Sequence, residues 1–158
     1  RYSPTGCNDH RLRFVVVKTP GMMEKFRARL RRKLEMLAKS GILRLFLPGI
    51  ERYLSEPESD PVFRGAPHMI VALTPKNAPC ADVDPVIALA QFEIYAATFG
   101  IGCCWCGFAV HAMRFFPSMR KLLDMPHGYK VGYVLLFGYP ATHFARPALP
   151  PRVPVSSV

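Results

Sequence analysis

A long apolar stretch, residues 86–108, restricts how this chain can fold more than any other feature of its sequence. Its length reaches the roughly 20 residues that a membrane-spanning helix needs. However, Gln91 and Glu93 lie inside it, and several glycines break its second half. Because polar side chains are costly within a bilayer and glycine interrupts helices, the stretch predicts a buried helix followed by a buried strand. No membrane association is therefore expected.

The stretch ends in a segment rich in glycine and cysteine, residues 100–107, which holds three of the chain's five cysteines and its only tryptophan. Cys103 and Cys104 are adjacent, so in a strand their side chains face opposite sides. Zinc sites usually space their ligands by two or more residues, and no Cys/His set elsewhere completes a four-ligand site. We therefore expect no metal and interpret the thiols as small buried hydrophobic groups. The glycines would let the backbone approach a flat ligand closely.

The composition is that of one folded domain. With 158 residues, 50% of them hydrophobic, the chain can bury a sizeable core. Five cysteines without paired spacing argue against a disulfide framework and fit a reducing compartment, so we expect a cytoplasmic protein. The formal net charge of +10 indicates an anionic partner, which could be a cofactor phosphate, a nucleic acid or a membrane surface.

Hydrophobic periodicity predicts about four strands separated by helices. The expected strands are residues 12–17, residues 68–73, the segment after residue 100, and residues 130–137. The expected helices are residues 21–40, an interrupted segment at 42–54, residues 84–99, and residues 110–125 with a break at Pro117. This pattern favours an α+β fold in which a buried helix lies against a sheet.

The helix expected at residues 84–99 is apolar around most of its circumference, so it should be the central buried helix. Pro85 suits its N-terminus, and Gly100 suits its C-terminal cap. Its expected buried stripe consists of Val86, Ile87, Ala90, Ile94 and Ala97, widened by Leu89, Phe92 and Ala96.

The glycine-rich fingerprints of nucleotide binding, a serine-hydrolase elbow and a convincing pair of catalytic carboxylates are all missing from the sequence. If the chain is an enzyme, we expect a bound cofactor to carry the chemistry.

Four blocks of sequence, in order along the chain, resemble the FMN-dependent nitroreductase family. The first is Ser3-Pro4-Thr5-Gly6-Cys7-Asn8 with the strand after it, and the second is Phe63-Arg64-Gly65-Ala66-Pro67-His68 with its strand. The third is the helix at 84–99 with the glycine-rich segment, and the fourth is Gly138-Tyr139-Pro140 with the tail. Within the family, the chain is similar to the subset often fused to ferredoxin-like iron–sulfur domains.

The resemblance implies a nitroreductase-like fold, with a central, mostly antiparallel sheet flanked by helices. Residues 1–140 would form the domain, and residues 141–158 an extended tail that packs on a partner subunit. The resemblance further implies a homodimer with two FMN sites at the subunit interface. Reduced nicotinamide cofactor, NAD(P)H, or another donor would supply electrons for a nitroaromatic, quinone or related acceptor. Flavin N5 would carry the chemistry, so no catalytic side chain is expected.

Family positions also indicate which residues would hold the flavin. The isoalloxazine would contact, from one subunit, Pro4, Thr5, Gly6 and Asn8. Its other edge would face the backbone of Trp105, Cys106 and Gly107, where an amide near N5 tunes reduction. The flavin phosphate would contact Arg152, with Arg146 as the second candidate, because a guanidinium can make two bonds to one phosphate.

Two departures from the family pattern support an alternative. The family's N-terminal helix, whose Arg-x-Ser-x-Arg motif grips the FMN phosphate, has no counterpart here, so we expect an N-terminally truncated chain. His10 replaces a glutamine that is common two positions after the loop asparagine. The alternative is a member of the same fold that holds a flavin or another anionic ligand without catalysis.

A basic helix gives a third interpretation, nucleic-acid binding. The helix at residues 21–40 carries these cationic side chains opposite its apolar stripe: Lys25, Arg27, Arg29, Arg31, Arg32 and Lys33. Such a face is typical of a solvated helix surface, and no aromatic platform or base-reading motif accompanies it. We therefore expect no nucleic-acid partner.

Overall fold

The structure is a computed structural model that describes residues 3–39, 54, 56, 60–142, 145, 154 and 156. The predicted helical segment at residues 42–54 lies outside the described residues except for its last position. Most of the predicted tail, residues 141–158, also lies outside them.

Four antiparallel strands form one sheet. They are β1 (Arg13–Val17), β2 (His68–Pro75), β3 (Gly102–Trp105) and β4 (Tyr129–Gly138), and their spatial order is β1-β2-β4-β3. The sheet therefore has β2 and β4 at its centre and β1 and β3 at its two edges. This arrangement confirms the predicted α+β class and the antiparallel sheet.

The edge position of β1 corrects one prediction. We expected a buried strand, but Phe14 and Val16 are about half exposed, and only Val17 at its end is buried. A run of β-branched residues fits any pleated surface, so its composition cannot distinguish a central strand from an edge strand.

The larger core lies on one face of the sheet, beneath helices α1 (Pro20–Lys39), α3 (Gly107–Phe115) and α4 (Pro117–Arg120). Residues at helical spacing on α1 are buried: Met23, Phe26, Leu30 and Leu34. Because successive strand residues face opposite sides, Val71 and Leu73 of β2 enter this core, whereas Ile70 and Ala72 enter a smaller one. The break between α3 and α4 falls at Phe116, immediately before Pro117, as predicted.

Helix α2 (Asp84–Ala97) covers the other face of the sheet. Leu89 is fully buried there among Ile70, Ala72 and Leu135, with Phe92 packed beside them. The helix ends at Ala97, two residues before the predicted end, and Gly100, whose φ is +70°, follows as the predicted cap. The amide of Ile101 donates to the carbonyl of Ala96 and that of Gly100 to Ala97, the paired bonds of a Schellman cap.

The prediction that α2 is buried around most of its circumference is wrong for the single chain. Of the expected stripe, Val86, Ile94 and Ala97 are exposed, and the exposed fraction of Ile94 is 72%. The helix meets the sheet through Leu89 and Phe92, which were expected to widen the stripe, and nothing in the described part of the chain covers its outer side. No described helix is both long and apolar enough to cross a bilayer.

A pair of glycine substitutions tests the packing of α2 on the sheet. A Cβ at Gly132 of β4 would lie 2.4 Å from Cγ of Pro85, whereas a Cβ at Gly102 of β3 would have 3.6 Å of room. We expect Gly132→Ala to lower the free energy of unfolding by about 1–3 kcal/mol through overpacking. Gly102→Ala should change it by less than about 1 kcal/mol. Urea denaturation monitored by circular dichroism would measure both, and equal effects would contradict this packing.

Candidate functional site

The loop before β1 is held in place by polar contacts. Residues Gly6–Asn8 form a single 3-10 turn, and the hydroxyl of Thr5 accepts the amide of His10 at 2.9 Å. The amide of Gly6 donates to Oδ1 of Asp84 at 2.9 Å, and Asp84 is only 3% exposed. The first residue of α2 therefore anchors the loop, a role that the sequence did not reveal.

Close packing requires glycine at position 6. A Cβ there would lie 2.3 Å from Sγ of Cys80, so any side chain would push the loop away from the start of α2. The next two residues, Cys7 and Asn8, have positive φ angles of 52° and 55°. The loop is thus a defined structure and not an ordinary flexible turn.

A first cleft of about 640 Å³ opens beside this loop. Its lining residues come from the loop, β1, β2 and α2: Ser3, Thr5, His10, Leu12, Phe14, Ile70, Ala88, Gln91, Phe92 and Tyr95. The hydroxyl of Ser3 is buried and has no hydrogen-bond partner in the described structure. Of the predicted loop residues, Thr5 lines this cleft, and Pro4, Gly6 and Asn8 are not among its lining residues.

A second cleft of about 310 Å³ lies at the junction of β3 and α3. Its lining residues are Pro61, Val62, Arg64, Cys104, Trp105, Cys106, Gly107, Phe108 and His111. The structure therefore brings together the predicted set Trp105, Cys106 and Gly107. Among the described residues no side-chain cap is found at the N-terminus of α3, although the amide of Ala109 hydrogen-bonds the thiol of Cys106.

Trp105 is fixed by two contacts that the sequence did not predict. Its Nε1–H donates to Oε2 of Glu93 at 2.7 Å, and its ring meets that of Tyr133 edge-on at 5.2 Å. Glu93 belongs to α2. A carboxylate within the apolar stretch therefore holds the end of β3, the strand that follows α2. A charged acceptor makes this a stronger bond than one between neutral groups.

The two predicted halves of the site lie at opposite edges of the sheet. Thr5 precedes β1, whereas Trp105 ends β3, and β2 and β4 separate these strands. At about 4.8 Å between neighbouring strands, three steps across the sheet span roughly 14 Å. The two sets accordingly line different clefts within one chain. The remaining predicted residues, Arg146 and Arg152, lie outside the described residues.

The five cysteines differ in environment. Cys106 is buried and its Sγ–H donates to the carbonyl of Val62 at 3.2 Å, whereas Cys7 and Cys104 are exposed. Burial raises the pKa of Cys106, and burial together with the nearby charge of Glu93 raises the pKa of Cys103. The expectation of buried thiols in residues 100–107 therefore holds for Cys106 but is wrong for Cys104, whereas Cys103 is half-buried. Within the described part of the chain, no three His, Cys, Asp or Glu residues are grouped to hold a metal ion.

Thiol alkylation should follow this order. The thiolate is the reactive species, and a raised pKa leaves less of it at neutral pH. We expect iodoacetamide at pH 7.5 to modify Cys7 and Cys104 first, and Cys103 and Cys106 several-fold more slowly, with the slow rates increasing as the pH rises. Peptide mass spectrometry would measure each rate, and urea-unfolded protein serves as the control. Equal rates at Cys104 and Cys106 in the folded protein would contradict the structure.

Comparisons with known proteins agree with this architecture. The model of the nitroreductase family matches residues 1–139. A nitroreductase with bound FMN from Bacteroides fragilis NCTC 9343 superposes with a TM-score of 0.75 at 18% identity, covering 99% of this chain and 81% of that one. A nitroreductase with bound FMN from Desulfitobacterium hafniense DCB-2 gives a TM-score of 0.68 at 28% identity, covering 96% and 76%.

An FMN and NADPH-dependent nitroreductase from Sphigopyxis sp. strain HMH gives a TM-score of 0.60 at 16% identity, covering 89% of this chain and 74% of that one. No curated protein sequence matches the chain. The solved structures share the nitroreductase fold, and the family model extends over most of the sequence. The chain therefore belongs to the nitroreductase family.

Proposed function

We propose that this chain is an FMN-dependent oxidoreductase that transfers electrons from reduced nicotinamide cofactor to a nitroaromatic, quinone or related small-molecule acceptor. The observation that carries the proposal is the cleft at the junction of β3 and α3, which Trp105, Cys106 and Gly107 line together. The similar Desulfitobacterium protein is described with bound FMN, and the Sphigopyxis protein as dependent on FMN and NADPH.

The residues present fit a flavin. The amides at the start of α3 can donate to a planar acceptor, and the nearest atom to a Cβ at Gly107 would be the hydroxyl of Tyr133 at 3.4 Å. The hydroxyl of Ser3, which has no hydrogen-bond partner among the described residues, offers a further polar contact in the first cleft. When bound, FMN supplies the redox chemistry.

The protein's own contribution is to hold and orient the ring. A backbone amide is a neutral donor, so it can contact the flavin edge without adding charge in either redox state. The bond from Trp105 to Glu93 restrains the strand that carries these amides. Trp105, Cys106 and Gly107 therefore act as binding residues, and no side chain is assigned a catalytic role.

We further propose that the site is completed by a second copy of the chain. Thr5 and Trp105 line separate clefts at opposite edges of one sheet, so a single chain does not bring them to one ring. The uncovered side of α2 exposes large apolar groups, including Ile94, Tyr95 and Phe99, and such a patch is typical of a subunit interface. Both features support a homodimer with two shared sites.

The tail is given a role in the same dimer. Residues 141–158 would pack on the partner subunit, beyond the domain at residues 1–140, with Arg152 or Arg146 reaching the flavin phosphate. We also propose a cytoplasmic location, from the unpaired cysteine spacing.

The non-catalytic alternative remains distinct, and one observation favours it: the ring of His10 contacts Oδ1 of Asn8, so the loop asparagine already has a partner.

Reconstitution tests the cofactor. We expect the purified full chain to bind FMN and to oxidise NADH or NADPH in the presence of a nitroaromatic or quinone. Gly107→Val should weaken FMN binding at least about tenfold, because the added side chain would stand between the flavin and the backbone amides. The variant should still fold, because a Cβ at this position has room. Gly21→Val, at a glycine with no atom within 4 Å of its Cβ position, is the matched control. Flavin fluorescence gives the dissociation constant. A colourless, inactive protein would refute the proposal, and binding without turnover would establish the alternative.

An interface substitution tests the dimer. We expect Ile94→Asp to convert the protein to a monomer, because a carboxylate would have to be buried without a partner, and to reduce FMN binding with it. Met36→Asp, at an exposed apolar residue of α1, should leave both unchanged. Analytical ultracentrifugation and flavin titration would measure the outcome. A monomeric wild-type protein with full FMN affinity would exclude the shared site.

A further inference from the structure

The turn at residues 60–66 is fixed by a network centred on Asp60. Its Oδ1 accepts the amide of Phe63 at 2.9 Å, and its Oδ2 accepts the amide of Gly65 at 3.0 Å. Nε of Arg27, on α1, donates to the same Oδ2 at 2.7 Å. One carboxylate therefore closes the turn and ties it to a helix.

Two further contacts complete this attachment. The guanidinium of Arg27 also donates to the carbonyl of Ala66 at 2.7 Å, so it bridges both ends of the turn. Phe63 is fully buried and its ring meets that of Phe26 at 6.5 Å. The turn is thus anchored in the larger core and cannot drift away from the second cleft.

This network holds Arg64 in an uncommon conformation. Its φ is +51°, a left-handed angle that costs about 1–3 kcal/mol for a residue other than glycine and that persists where the surroundings enforce it. The side chain is exposed and lines the second cleft. Within the described part of the chain, its guanidinium has no hydrogen-bond or ion-pair partner. Asp60 is already engaged by Arg27 and the turn amides.

The walls of the cleft complement this cation. Phe108 is 58% exposed at the cleft, and Trp105 lies beside it, so flat apolar surface is available. His111 is the other basic side chain, and none of the lining residues is acidic. The cleft therefore combines an aromatic wall with an unpaired guanidinium whose backbone is fixed by the turn.

We propose that Arg64 binds the carboxylate of the acceptor, and that the preferred acceptors are planar aromatic compounds that carry such a group. The guanidinium fork matches a carboxylate with two parallel hydrogen bonds, while the ring lies against Phe108. This inference rests on the proposed function, because the acceptor would lie beside the flavin held at Gly107. Arg64 is then a specificity-determining residue and takes no part in the electron transfer itself.

The test compares two acceptors of the same size, 4-nitrobenzoate and the neutral 4-nitrobenzamide, in the FMN-loaded full chain. We expect kcat/KM to favour the carboxylate about tenfold, the effect of one charge-assisted pair. Arg64→Gln should bring the ratio close to one while FMN affinity stays within about twofold, and Arg64→Lys should restore part of it. Arg32→Gln, which removes an exposed charge from α1, should leave the ratio unchanged.

A binding measurement separates this inference from the proposed function. Trp105 is the only tryptophan and lines the cleft, so its fluorescence in FMN-free protein reports ligands there. We expect the dissociation constant obtained from quenching to be lower for 4-nitrobenzoate than for 4-nitrobenzamide. In Arg64→Gln the two dissociation constants should become similar. If FMN does not bind but this difference is found, the proposed FMN-dependent function is refuted, whereas the carboxylate site at Arg64 is supported. Equal affinities, an unchanged ratio in Arg64→Gln, or loss of FMN binding in that variant would each overturn the inference.

Discussion

The antiparallel pairing of β2 with β4 is the constraint on which the rest of the structure depends. Both strands are buried on two faces, and their alternate residues divide the interior into two cores. This division sends α1 and α3 to one face and α2 to the other. It also leaves β1 and β3 as the edges, so the loop at Thr5 and the junction at Gly107 lie on opposite sides of the molecule.

Much of this architecture was predictable because it depends on local patterns. The spacing of Phe26, Leu30 and Leu34 predicts α1, the apolar run at residues 68–73 predicts a strand, and Pro117 predicts the break after α3. The extent of burial of α2 was not predictable. A helix that is apolar around most of its circumference has the same sequence pattern whether its outer side faces a core or an uncovered surface. Periodicity therefore cannot distinguish these cases.

The contacts that organise the site were hidden for a different reason. Gly6 with Asp84 and Trp105 with Glu93 are pairs distant in sequence or on different elements, and each partner has an ordinary local explanation. Asp84 suits a helix N-terminus wherever the loop lies. Glu93 looked only like evidence against a membrane helix, yet it is also the acceptor that fixes the indole. Arg64 carried no local sign of a role, since its left-handed angle follows from the distant Arg27–Asp60 pair.

The separation of the two clefts has a consequence for how the protein would behave in solution. In the proposed dimer, each flavin contacts residues of two chains, so cofactor binding and assembly are linked equilibria. Any ligand that binds only the assembled form stabilises it by mass action. FMN affinity would therefore fall as the protein is diluted, and added FMN would draw separated chains together. The dissociation constant of the dimer would in this way set the protein concentration at which the cofactor is retained.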